Sequence, residues 1–169
     1  SSNASGFSNT ASLLSTGSAV PAAVGDIRPL SNATKGFVAC GVGMACVCDV
    51  AIADESAKFG LTETRLGIIP ATIGPYVVAR LGEGKARRVF MSARIFDAAD
   101  AASLGVVARA VPSDELDTAV EAEVAPYLSV APGAAGAAKA LARALGPRID
   151  ADVIDETIRQ LADIWESAE

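Results

Sequence analysis

The chain contains no histidine. That absence removes serine–histidine–aspartate chemistry, cysteine–histidine chemistry and every histidine-ligated metal site. Any proton transfer therefore falls to Asp, Glu, Lys, Tyr or Cys. Aromatic residues are scarce, at 5% of 169 residues against a hydrophobic content of 51%. The apolar material is mostly Ala, Val, Leu and Ile, which suits layered helix-and-sheet packing rather than an aromatic-rich β-sandwich. Clustered positive charge is missing: the net charge is −6 and no basic run occurs. Nucleic acid is not an expected partner, because phosphate binding needs grouped Lys and Arg. No apolar run reaches the roughly 20 residues of a membrane helix, so no membrane partner is expected either. The three cysteines, Cys40, Cys46 and Cys48, are odd in number and closely spaced. They fit neither a disulfide framework nor the C-x-x-C spacing of a zinc site. They read as small buried thiols, which a reducing cytoplasm suits.

What is present divides the chain in three. Residues 1–34 are rich in Ser, Ala, Asn and Gly, and their only charges are Asp26 and Arg28. No helical or alternating period is visible there, and the segment reads as irregular or incomplete. Ser2-Asn3-Ala4 reads as a remnant of tag removal. Residues 35–112 are orderly and read as an α/β core. GFVACGVGMACVCDVAIA gives a glycine-rich turn, a short apolar helix and a strand ending near Ala53. Lys58 to Gly60 suits a brief strand and TETRLG a helical turn. Ile73 to Leu81 and Lys85 to Ser92 read as helices. Asp97 is placed to cap DAADAASLG, which ends at Gly105, and Val106 to Val111 is β-rich.

Residues 113–169 read as helical. One helix opens near Ser113, an alanine-rich one begins at Pro132, and a last one begins near Asp152. In the last helix Ile154, Ile158, Leu161 and Trp165 form one apolar stripe. Such a stripe is expected in the core, with a subunit contact as the sharper alternative. WESAE ends without a helix-stop signal, so a continuation is expected.

Three features bear on chemistry. Gly41 and Gly43 flank the start of a helix. Glycine there either allows close packing or lets a ligand approach free backbone N–H groups that favour negative charge. Glu63 is a lone carboxylate in FGLTETRLGIIP. It is either a first-turn charge favoured by the helix dipole or a general acid/base whose pKa is raised by Phe59, Leu61, Leu66, Ile68 and Ile69. Lys85, Arg87 and Arg88 suit the solvated face of a helix more than a phosphate site.

The order of these pieces resembles the enoyl-CoA hydratase/isomerase, or crotonase, superfamily. The carriers are Cys48-Asp49, Ala53, Ala57-Lys58-Phe59, Glu63, Gly67, Pro70 and the run from Ala101 to Val107. GVGMACVCD, LTETRLGIIPA and IGPYVV most resemble the bacterial methylglutaconyl-CoA hydratase-like branch. The resemblance covers about residues 35–167, roughly the latter part of a family member.

It implies an α/β crotonase-like fold, with a twisted sheet, a helical C-terminal trimerisation region and much of the N-terminal half lacking. The implied activity is hydration of a 2-enoyl-CoA or its reverse, by a homotrimer or dimer of trimers in the cytoplasm. No metal or separate cofactor is implied, coenzyme A being part of the substrate. Glu63 matches the catalytic glutamate. Cys40, with Gly41 beside it, matches one backbone donor of an oxyanion hole, where the family usually has glycine. A second catalytic glutamate of many hydratases falls on Gly43. That loss leaves two alternatives open: an enoyl-CoA isomerase of the same fold, or a non-catalytic acyl-CoA-binding or assembly subunit.

Overall fold

The computed structural model describes residues 24–26, 36–38 and 40–167. Among the described residues two three-stranded sheets form the framework. In the first, β1 (Val24–Asp26), β3 (Val50–Asp54) and β6 (Arg109–Val111) run parallel in the order β1-β3-β6. In the second, β2 (Gly36–Val38) lies parallel to β4 (Lys58–Gly60), which pairs antiparallel with β5 (Ile95–Asp97). A tight turn separates the two sheets, in which the Ala57 N–H donates to the Asp54 carbonyl at 2.9 Å. It ends β3 in one sheet and starts β4 in the other. Strand β1 falls inside the stretch that reads as irregular, where three residues are too few to show a period. Everything else expected of residues 1–35 lies outside the described residues.

Helix α1 (Cys40–Val47) leads from the second sheet to the first. Its Val42, Ala45 and Cys46 are buried, while Met44 and Val47 face outward. Helices α2 (Gly74–Leu81) and α3 (Glu83–Ser92) follow the Glu63 turn. Gly82, at φ 74°, joins them in a conformation that only glycine adopts without strain. Helix α4 (Ala98–Leu104) is capped by Asp97, whose carboxylate accepts from the Asp100 N–H at 2.8 Å. It ends at Gly105 with φ 94°. Both ends of α4 thus match the sequence expectation.

The main core lies between these elements and is built around Phe59, Leu61, Val42, Val77, Val89 and Val106, all at most 2% exposed. Phe59 and Phe96 stack across the β4–β5 pair with ring centroids 5.8 Å apart. The remaining core positions are largely alanines, which let helices and strands approach closely. A second, small cluster of Ile52, Leu116 and Ala119 seats α5 (Leu116–Val124) on β3.

The C-terminal helices α6 (Pro132–Leu145) and α7 (Ala151–Glu166) contain no buried residue. This corrects the expectation for the α7 stripe: Ile158 is 55% and Trp165 72% exposed, so the stripe is not core. Helix α6 is tied to the body by an ion pair between Lys139 Nζ and Asp49 Oδ2 at 2.5 Å. No described helix is long and apolar enough to cross a membrane.

Candidate active site

Glu63 opens a 3-10 turn, Glu63–Leu66, that connects β4 to the segment before α2. The turn closes at Gly67, with φ 70°, whose N–H donates to the carbonyls of Glu63 and Thr64. Glycine is needed there, since a side chain at positive φ is strained. Thr64 fixes the other side of the turn by donating its hydroxyl to the Phe90 carbonyl at 3.1 Å. Glu63 is half-buried, and its Oε2 is shielded from solvent with no hydrogen-bond partner among the described residues. A buried carboxylate oxygen left without a donor is costly, on the order of 1–3 kcal/mol or more. Such an oxygen is free to meet a water or a substrate group, as the buried Nε atoms of Arg80 and Arg94 also are. The apolar residues expected near it divide: Phe59 and Leu61 are buried, Ile68 and Ile69 are half-buried, but Leu66 is 75% exposed and shields nothing.

Gly43 has a packing reason. A Cβ built at that position would lie 2.6 Å from Ile73 Cγ2, so α1 touches the residue preceding α2 with no room for a side chain. The position that resembles a second glutamate therefore holds no carboxylate and accommodates none as packed. Cys40 and Gly41 form the first turn of α1, where backbone N–H groups lack intrahelical partners.

The basic trio splits up. Lys85 donates to the Leu104 carbonyl at 2.9 Å and to the Ser103 carbonyl at 3.3 Å, capping the end of α4 rather than facing solvent alone. Arg87 pairs with Glu83 one turn away at 3.4 Å, and Arg88 is exposed.

Sequence reasoning missed Arg80. It donates from Nη2 to the Cys48 carbonyl at 2.8 Å and to the Ala45 carbonyl at 3.4 Å, and from Nη1 to the Asp49 carbonyl at 3.4 Å. These acceptors sit at the C-terminal end of α1 and the start of β3. The available signal was that Arg80 is the only charge in GPYVVARL. Nearby, burial pushes the Cys46 thiol up to about 11, an effect the Arg80 charge partly opposes.

Two cavities flank the α6–α7 linker. One of about 480 Å³ is lined by Ile69, Pro70, Phe90 and Val153 and reaches Thr64, but not Glu63. The other, of about 740 Å³, holds Arg80 and Lys139 on its wall. Among the described residues no group of acidic or cysteine side chains is arranged to hold a metal ion.

The sequence profile of the enoyl-CoA hydratase/isomerase family matches residues 29–162. The chain belongs to the enoyl-CoA hydratase/isomerase family. A probable enoyl-CoA hydratase of Mycobacterium bovis is 38% identical over 100 residues, covering 59% of this chain and 39% of the relative. The 2,3-dehydroadipyl-CoA hydratase of Escherichia coli is 36% identical over 89 residues, covering 52% of this chain and 35% of the relative. Among solved structures, Pseudomonas aeruginosa AtuE is 41% identical, with a TM-score of 0.63 over 78% of this chain and 52% of that one. A crotonase-type hydratase/isomerase of Legionella pneumophila is 38% identical, with a TM-score of 0.61 over 79% of this chain and 52% of that one. The crotonase fold expected from the sequence is therefore correct. The chain spans about half the length of the solved relatives and less of the curated ones.

Proposed function

We propose that the protein hydrates a 2-enoyl-CoA, or runs the reverse dehydration, with Glu63 as the single acid/base. The reading is supported by the buried Oε2 of Glu63, which has no partner among the described residues, in a chain with no histidine. The carboxylate takes a proton from water as the water oxygen bonds to C3. The C2=C3 electron pair moves toward the thioester carbonyl, giving an enolate. Backbone N–H groups at Cys40 and Gly41 hold the enolate oxygen, since preorganised donors aimed at developing charge often supply the largest catalytic contribution. The protonated Glu63 then returns its proton to C2. Atoms balance with one water consumed and no metal or separate cofactor, and coenzyme A arrives as part of the substrate.

The finer substrate reading is 3-methylglutaconyl-CoA, supported by the branch resemblance of GVGMACVCD and IGPYVV. The exposed α7 stripe supports a homotrimer or dimer of trimers, and the thiols suit the cytoplasm. A second reading, enoyl-CoA isomerisation, is favoured by one observation: the Ile73 contact leaves no room for a second carboxylate at Gly43. Glu63 would then move a proton between C2 and C4 with no water added.

The test is the loss of enoyl-thioester absorbance with crotonyl-CoA and 3-methylglutaconyl-CoA. Glu63→Gln keeps the shape and removes the base. Turnover is expected to fall roughly 10²–10⁴-fold with acyl-CoA binding retained. Equal rates would remove Glu63 from the mechanism.

A further inference from the structure

Helices α1 and α2 are joined at two places. Gly43, midway along α1, packs against Ile73, the residue that precedes α2, closely enough to exclude any side chain. In and beyond the C-terminal half of α1, Arg80 in the last turn of α2 donates to the carbonyls of Ala45, Cys48 and Asp49, the best contact at 2.8 Å. The chain entering α2 comes directly from the Glu63 turn. Helix α2 is thus a strut between the carboxylate and the helix whose first turn holds Cys40 and Gly41.

We infer that Arg80 is a positioning residue, which holds the first-turn N–H groups of α1 in register with Glu63 by gripping the opposite end of that helix. The inference rests on the oxyanion role given above to Cys40 and Gly41. An eight-residue helix is about 12 Å long. Without Arg80 the remaining pivot is the Gly43–Ile73 contact, about 4.5 Å from Cys40 along the axis, and a tilt of about 13° there moves the first turn by about 1 Å, a displacement that can cost on the order of 10²-fold in rate. The planar guanidinium suits this task, because its fixed fork of donors reaches several carbonyls at once, whereas an ammonium is a single point. A cation at a helix C-terminus is also electrostatically favoured.

A merely structural Arg80 would change stability without changing how strongly the carbonyl is polarised. The experiment is therefore infrared difference spectroscopy of ¹³C=O-labelled butyryl-CoA, which binds but has no double bond to hydrate. It is run on the parent, Arg80→Met and Arg80→Lys at a temperature where circular dichroism shows all three folded. The expected result is a red-shifted thioester carbonyl in the parent, at least half of that shift lost in Arg80→Met, and part recovered in Arg80→Lys. Arg80 also borders the cavity of about 740 Å³, so ethylguanidinium should restore the shift in Arg80→Ala, a second readout if Arg80→Met folds poorly. An unchanged shift in folded Arg80→Met overturns the inference. No shift in the parent overturns the oxyanion reading, and the inference with it.

Discussion

At Gly43 the sequence offers a choice between close packing and ligand approach, and the 2.6 Å approach of Ile73 decides for packing. Replacing Gly43 with Ala should destabilise the protein by about 1–3 kcal/mol, the usual cost of overpacking a dense contact. Trimming the neighbour in Gly43→Ala/Ile73→Val should recover part of that loss, because residues in contact couple. Thermal unfolding of the two variants checks both statements. Cys46 gives a second residue-scale expectation. Its folded thiol sits at about 11 against an ordinary 9.0, so the folded state holds its proton more tightly than the unfolded chain. The contribution of this group to stability is complete below pH 9 and is lost as pH rises toward 11. The unfolding temperature of the parent should fall more steeply across that window than that of Cys46→Ala. Parallel curves would show that the thiol does not contribute.

At the scale of elements, legibility followed local signals. The α4 caps, the proline start of α6 and the glycine-closed turn after Glu63 are set by neighbouring residues, so the sequence displays them. Strand β1 and the division into two sheets depend on pairing between distant segments of three to five residues, too short for a period to register. The candidate site shows the same limit. Glu63 is visible because it is the lone carboxylate in an apolar stretch. Arg80 is not, because its three acceptors are backbone carbonyls more than 30 positions away, and carbonyl positions carry no sequence signal. Lys85 lies on the exposed face expected of it, but its bonding is hidden for the same reason. Its acceptors are the carbonyls at the end of α4. Lys85→Ala should therefore lower stability by about 1 kcal/mol, the scale of a charged group hydrogen-bonded to helix-end carbonyls. A chemical-denaturation midpoint equal to the parent's would contradict that role.

For the whole molecule, the α7 stripe is a correct periodicity with the wrong expected destination. A helix period shows that one face is apolar, but not whether the chain's own core covers it. With Leu145 81%, Trp165 72% and Ile158 55% exposed, the outer helices present apolar surface that subunit association would bury. Sedimentation velocity should find three or six copies, and Ile158→Asp/Trp165→Ser should release monomers. A monomeric parent would contradict the proposed assembly.

Hydration by Glu63 is tested most directly by proton NMR of the product formed from crotonyl-CoA in D₂O, comparing the parent with Glu63→Gln. The parent should give a 3-hydroxyacyl-CoA with one deuterium at C2, formed at least about 100-fold more slowly by the variant. The same product at the same rate from Glu63→Gln, or a β,γ-unsaturated product with no added water, would contradict hydration by Glu63.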